Sequence, residues 1–383
     1  MNTSTHIWAI FGTRPEFIKL APLIKWLREH SDLKVKFVHT GQHETLGMDT
    51  GLSFGLDVDL HLPIRNENRS SLNALYASIQ QALTDHWSHL GIPKAVIVQG
   101  DTLSAFSAAE TTYLHHIPVL HVEAGLRTKR VDEPWPEELF RILISRFASW
   151  HFAPTLTAKH HLREEGISES RILVTGNTVV DAFEHIRTTQ PELFKADFNQ
   201  SSTSVFETSD HSDSDLDQKS KRKNVLLTLH RRENQKSDQL SVASTLISYL
   251  SDHPEVQVTI IRHPNPLSHF LINSLSGIPG VRIQEAMTYP DFLTLMSQMD
   301  VILTDSGGLQ EEAPLLGIPV IILRNVTERP EILTSGLGTL TGTDPVLIRT
   351  SLDYFLSGGK PEPVQLFGDG KACERIGAFL RTL

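Results

Sequence analysis

The chain predicts two doubly wound α/β domains in series, each a parallel sheet flanked by helices. Three observations carry that prediction. Short apolar runs recur, each followed by polar or Gly-rich residues and then by apolar residues at helical spacing. The length, 383 residues, exceeds one ordinary core and suits two. A stretch rich in Ser, Thr and Asp, from Ser201 to Ser220, breaks the rhythm near the middle and cannot bury enough apolar surface to form a core of its own.

Residues 7–11 read as the first strand. Phe17, Leu20, Ile24 and Leu27 then fall on one helical face, with Pro15 in the first turn and Pro22 expected to kink the helix. Leu72, Leu75, Tyr76, Ile79, Leu83 and Trp87 repeat the helical spacing, and KAVIVQG supplies the next strand. Residues 119–123, 150–153 and 172–175 follow as strands. Beyond the insert and the basic run 221–223, the second series has strands at 225–229, 256–261, 281–284, 301–304 and 320–323. The expected organisation is an N-terminal domain over 1–185, a loop or linker over 186–223, a second domain over 224–365, and a C-terminal helix over 366–383 packing back on the first domain. In such sheets ligands bind at the carboxyl ends of the strands, and here also in the cleft between domains.

Composition narrows the function. A net charge of −10 argues against a general nucleic-acid binder, which needs a basic face. The single cysteine, Cys373, forms no internal disulfide and fits a reducing cytoplasm. The start of the chain has no basic leader, and no apolar run is long enough to span a bilayer, so a cytoplasmic location without a membrane partner is expected.

The densest chemistry lies in VILTDSGGLQEEAPLLGIPVIILRNVTERPE, from Val301 to Glu331. A strand ending at Asp305, the turn Ser306-Gly307-Gly308 and a helix opening near Leu309 together make an anion site. Free N–H groups and the helix dipole point at the turn, and glycine lets a ligand approach the backbone. Glu312, one turn into that helix, suits the two hydroxyls of a ribose. Phosphate plus ribose means a nucleotide. Further polar residues follow other strands: Gly12-Thr13-Arg14-Pro15-Glu16 with Lys19, Gly100-Asp101-Thr102, Glu123-Ala124-Gly125, and His230-Arg231-Arg232-Glu233-Asn234. Arg14 and Lys19, two cations beside a Gly turn, look like pyrophosphate ligands. Glu137, in Pro134-Trp135-Pro136-Glu137-Glu138, and Arg141 lie a short loop beyond Glu123. Several acids at one sheet edge, opposite a phosphate site, suit acid–base chemistry on a nucleotide-bound substrate.

FGTRPEFIKLAPL, TGQH, QGDT, HVEAGLRT, PWPEE, VTGNTVVDA, LHRREN, DSGGLQEEAP, TERPE and GDGKACERI, in this order, resemble the non-hydrolysing UDP-N-acetylglucosamine 2-epimerases. The resemblance spans nearly the whole chain outside the Ser201 to Ser220 insert. It implies two Rossmann-like domains of the GT-B type, a homodimer, and interconversion of UDP-GlcNAc and UDP-ManNAc for surface-polysaccharide synthesis. It also implies a route in which UDP is eliminated to give a 2-acetamidoglucal and then adds back, without metal or other cofactor. Carried over by motif, Asp101, Glu123 and Glu137 are the acid/base groups, and His230 assists at the anomeric oxygen or phosphate. Arg14, Lys19, Ser306, Gly307 and Gly308 hold phosphate, Arg141 contacts substrate, Glu312 holds the ribose, Phe292 the uracil region, and Arg329 closes on the nucleotide. Bacterial members take a second UDP-GlcNAc as activator, and Gln42, His43, Arg231, Glu233 and His263 match that site. The chain departs from the family pattern at Phe140, where an Asn is usual, at Glu44-Thr45-Leu46, and at Ile261-Arg262.

Other readings stay open at this level: an epimerase of a modified UDP-GlcNAc derivative, a GT-B glycosyltransferase using a UDP-sugar, and a sugar-nucleotide sensor without turnover. The last two lack a use for three strand-end acids.

Overall fold

The structure is a computed structural model. It describes residues 6–43, 51, 53–64, 71–194, 222–229, 236–262 and 269–382. His230, Arg231, Glu233, His263 and the Ser201 to Ser220 insert lie outside the described residues.

The chain divides into two compact units. The first comprises Met1–Ile186, Val326–Pro330 and Gln365–Leu383, and the second Arg187–Asn325 and Glu331–Val364. Val326–Pro330, which the sequence reading gave to the second domain, groups with the first unit. The reason is electrostatic. Glu328 and Arg329 are almost fully buried and find their ion-pair partners there.

The first unit holds a seven-stranded parallel sheet in the order β3-β2-β1-β4-β5-β6-β7. Its strands are β1 (His6–Phe11), β2 (Lys34–His39), β3 (Leu60–His61), β4 (Ala95–Gln99), β5 (Val119–Val122), β6 (Trp150–Ala153) and β7 (Ile172–Val174). Both faces are covered, so β1 is apolar at every position from Ile7 to Phe11. Trp8 and Ile10 join a cluster with Trp87, Val96 and Val98. Phe11 packs on the opposite face against Phe17 and Phe37, with ring centroids 5.4 and 4.2 Å away. The Arg14–His30 helix runs through Pro22 as one element. Phe140 stacks on Phe106 at 4.6 Å, so the aromatic at this unusual position serves the core. The Ala372–Leu380 helix also belongs to this unit. Asp181 caps it by accepting from the Ala372 and Cys373 amides at 3.1 and 2.8 Å, and a Cβ on Gly377 would overlap the Trp26 ring.

The second unit holds a six-stranded parallel sheet in the order β10-β9-β8-β11-β12-β13. Here β8 is Lys223–Thr228, β9 Val256–Ile261, β10 Val281–Gln284, β11 Val301–Thr304, β12 Val320–Ile322 and β13 Gly338–Leu340. All strands stay parallel, but the order of winding reverses in both sheets between the first and fourth strands, β1/β4 and β8/β11. That reversal opens a crevice at the carboxyl ends of the two strands. Among the described residues no helix is long and apolar enough to cross a membrane.

Candidate active site

At the carboxyl end of the first sheet the strand-end acids lie in a chain of alternating charge. Glu123 follows β5 with φ +64°, a left-handed conformation rare for a residue with a side chain. Its carboxylate is buried and takes the Lys19 ammonium from the Arg14–His30 helix. The Asn177 amide donates to the same oxygen at 2.8 Å, and the Arg329 guanidinium lies 3.6 Å from the other oxygen. Burial alone would raise this carboxyl, but Lys19 and Arg329 outweigh it and hold Glu123 below the ordinary carboxylate range. It is therefore ionised and able to accept a proton.

Arg329 also pairs with Glu328, and Glu328 lies 3.2 Å from Arg141. Arg141, on the Glu137–Phe147 helix, meets Asp101 at 2.5 Å and Glu138 at 2.8 Å. One buried guanidinium thus faces three carboxylates. Burial would lower its pKa, yet Asp101, Glu328 and Glu138 drive it further up, so the cation is permanent. Lys19, Glu123, Arg329, Glu328, Arg141 and Asp101 form a continuous relay linking two of the expected acids. Glu138 is structural: its other oxygen accepts from the Thr128 and Lys129 amides at 3.0 and 3.1 Å and fixes the loop after Arg127. Glu137 opens the same helix, half-buried and one turn before Arg141. The peptide bonds preceding Pro134 and Pro136 are cis.

The turn after β1 is filled by the protein itself. A Cβ on Gly12 would lie 1.9 Å from Ser104 Oγ and 2.4 Å from Thr40 Oγ1, so only glycine fits. Glu16 folds back over the start of its own helix, accepting from the Gly12 amide at 3.0 Å and from the Thr13 amide and hydroxyl at 2.8 Å. Its other oxygen accepts from the Thr102 hydroxyl at 2.7 Å. Glu16 is 1% exposed, and burial pushes its carboxyl up to about 7 against the pull of these donors. A carboxylate of the chain therefore occupies the place where the sequence suggests an outside anion. Lys19, expected on phosphate, is found on Glu123, and Arg329, expected on the nucleotide, is found on Glu123 and Glu328. Arg14 is half-buried in the first helical turn. Gln42 is also engaged, accepting from the Ser104 amide and hydroxyl at 3.0 and 2.7 Å, while His43 donates its amide to Gly12 at 3.0 Å.

The turn after β11 is different. The helix opens at Gly307, two residues earlier than expected, runs to Glu312 and tightens into a 3-10 turn over Ala313–Leu316. A Cβ on Gly308 would meet no described atom closer than 3.9 Å. Packing therefore does not demand glycine here. Ser306 donates its amide to the Thr304 hydroxyl at 2.9 Å, and that hydroxyl shares a 2.6 Å hydrogen bond with Thr228 across the strand pair. Glu312, 7% exposed, accepts from the Tyr289 hydroxyl at 2.7 Å. Phe292 lies three residues beyond Tyr289 on the same helix, half-buried. Sequence reasoning missed Glu16, Asn177, His121, Tyr289 and Glu328. Only Glu16 leaves a local signal: with Thr13 it forms a T-x-x-E capping box, here with Pro15 in the first turn.

Residues 25–381 match the family model described as UDP-N-acetylglucosamine 2-epimerase. The curated enzyme of that name from Escherichia coli K12 is 34% identical over 379 residues, covering 97% of this chain and 96% of its own. The crystal structure of UDP-GlcNAc 2-epimerase from Neisseria meningitidis bound to UDP-GlcNAc superimposes with a TM-score of 0.87 at 33% identity, covering 99% of this chain and 100% of that one. The Methanocaldococcus jannaschii enzyme in complex with UDP-GlcNAc and UDP gives 0.84 at 31% identity over 99% of this chain and 100% of that one.

Proposed function

The chain belongs to the UDP-N-acetylglucosamine 2-epimerase family, and from that premise we propose that it interconverts UDP-GlcNAc and UDP-ManNAc by eliminating UDP and adding it back. The observation that carries this is the charge relay of the first unit. It supports a carboxylate kept ionised by Lys19 and Arg329 at one end and an Arg141-bound acid at the other. The C2 proton of the sugar is a poor acid, so inversion there needs a base to take it, a leaving group at C1, and a second proton donor for the return. Asp101, Glu123 and Glu137 provide the acid/base groups in this reading. The departing UDP carries the charge that makes elimination feasible, and its diphosphate suits the open Ser306-Gly307-Gly308 turn of the second unit. Glu312, oriented by Tyr289, receives the ribose hydroxyls, and Phe292 the uracil region.

Proton NMR of the protein with UDP-GlcNAc in heavy water tests the proposal. Formation of UDP-ManNAc carrying deuterium at C2 is the expected result. Release of UDP with free ManNAc would replace it with a hydrolysing reaction. An unchanged UDP-GlcNAc spectrum would overturn the plain-sugar reading.

A further inference from the structure

Asp101 stands on a turn whose two neighbours are each held by a buried side chain from another element. On one side is Gly100, at φ +68°, whose amide donates to the Val122 carbonyl at 3.0 Å. Its own carbonyl lies 2.8 Å from His121 Nε2. A carbonyl only accepts, so Nε2 carries the proton. His121 is 0% exposed, and burial pushes its pKa down to about 4, so the ring is neutral in this role. On the other side is Thr102, whose hydroxyl accepts from the Ala105 amide at 3.0 Å while donating to Glu16 at 2.7 Å. The hydroxyl is used in both directions and its rotation is fixed. Glu16 in turn is pinned by three donors from Gly12 and Thr13.

We propose that Glu16 and His121 are positioning residues for Asp101, gripping its turn from β1's side and β5's side so that the acid is set before substrate arrives. The inference rests on the acid/base reading of Asp101. Capping the Arg14–His30 helix needs only the bonds to Gly12 and Thr13; the bond to Thr102 reaches 86 residues along the chain and joins the ends of β1 and β4. His121 stands two residues before Glu123 on β5, so the same strand end sets both acids. Asp101 is the more exposed member, with its side chain 23% accessible, while both of its clamps are buried. A reactive group reaching solvent from a rigid base is what orientation-dependent catalysis requires.

Removing Glu16 would uncap the Arg14–His30 helix and removing the Thr102 hydroxyl would uncap the Leu103–Leu114 helix, so each loss of rate is read against the melting temperature of the same variant. Thr102→Val keeps the shape and loses the hydroxyl, Thr102→Ser keeps the hydroxyl, and His121→Phe removes the ring donor. Epimerisation rate, UDP affinity by calorimetry and melting temperature are measured for each, with Asp101→Asn alongside. Thr102→Val and His121→Phe are expected to lose on the order of ten- to a hundredfold in kcat with UDP affinity within about twofold, because misplacement affects chemistry rather than nucleotide binding. Thr102→Ser is expected to recover most of that loss. Wild-type kcat in folded Thr102→Val, or a loss that Ser does not recover, overturns the inference. Should His121→Phe fail to fold, the Thr102 pair decides. Inactive Asp101→Asn beside fully active clamp variants removes the inference alone; active Asp101→Asn removes the reading beneath it as well.

Discussion

The two units repeat one device and use it differently. Each sheet reverses at its centre, and each follows a central strand with a glycine turn and a helix, β1 with Gly12 and β11 with Gly307-Gly308. At Gly12 the surrounding space is taken by Ser104 and Thr40, and the amides are taken by Glu16. At Gly308 the nearest described atoms stand 3.9 Å from where a Cβ would go. A glycine turn at a sheet reversal is therefore not by itself an anion site. What separates a packing glycine from a binding glycine is the identity of the atoms a methyl group would meet.

The proposed function puts the acid/base chemistry in the first unit and nucleotide recognition in the second, and that division can be broken at several points. The largest effect is expected from Asp101→Asn, which should lower turnover by at least about a hundredfold with UDP affinity nearly unchanged; steady-state rates and calorimetry read both. Next, Gly12→Ala should destabilise the fold by about 1–3 kcal/mol or more through overpacking, seen in denaturant melts. Gly308→Ala should leave stability within about 0.5 kcal/mol yet weaken UDP binding on the order of tenfold. Equal stability losses for the two alanine variants would dissolve the distinction. Glu312→Ala should also weaken UDP on the order of tenfold, and Tyr289→Phe by only a few-fold, since it removes one hydrogen bond worth about 1 kcal/mol.

The smallest effect concerns acid. His121 and His151 pair in register on β5 and β6 and are both 0% exposed. Burial lowers them to about 4 and about 3 from an ordinary 6.5. An unfolded chain takes protons on both as pH falls below 6.5, while the folded chain refuses them. The stability they contribute is complete above that pH and declines as pH drops towards 4. Glu16, raised to about 7, works in the opposite sense over the same range, so the histidine share is read as a difference: from pH 7 to pH 5 the melting temperature of His151→Leu should change towards greater stability relative to the wild type. Parallel curves would remove His151 from the effect.

Much of this was legible in the sequence, and the gaps have physical causes. Strands buried on both faces announce themselves as apolar runs, so β4, β6, β9, β11 and β12 could be placed. Lys34–His39 escaped because its lysines alternate with apolar residues, and Leu60–His61 and Gly338–Leu340 because edge strands are short and half-exposed. Asp101, Glu123 and Glu312 could be singled out from their strand-end positions. The sequence singles out Lys19, Arg141 and Arg329 too, but not as partners of these acids, and does not single out Asn177 or Glu328 at all. Asn177 reaches Glu123 across 54 residues, and Glu328 reaches Arg141 across 187, distances over which no local pattern carries information. The contact of Lys19 with Glu123 was hidden for the same reason, the two lying 104 residues apart.

The order of synthesis gives one of these contacts a further meaning. Asn177 donates its amide to the Phe367 carbonyl at 2.7 Å, and Gly368 lies so close to Gly176 that an added Cβ would come within 2.9 Å of it. The Asn177 side chain then holds Glu123. The unit that leaves the ribosome first is thus finished last: residues 365–383 must emerge before the loop behind Glu123 has its backing. A nascent chain arrested between residues 187 and 325 would carry Asp101 and Glu123 without Glu328, and would lack the support that fixes Asn177. The first unit gains its full backing only after translation has passed the whole second unit.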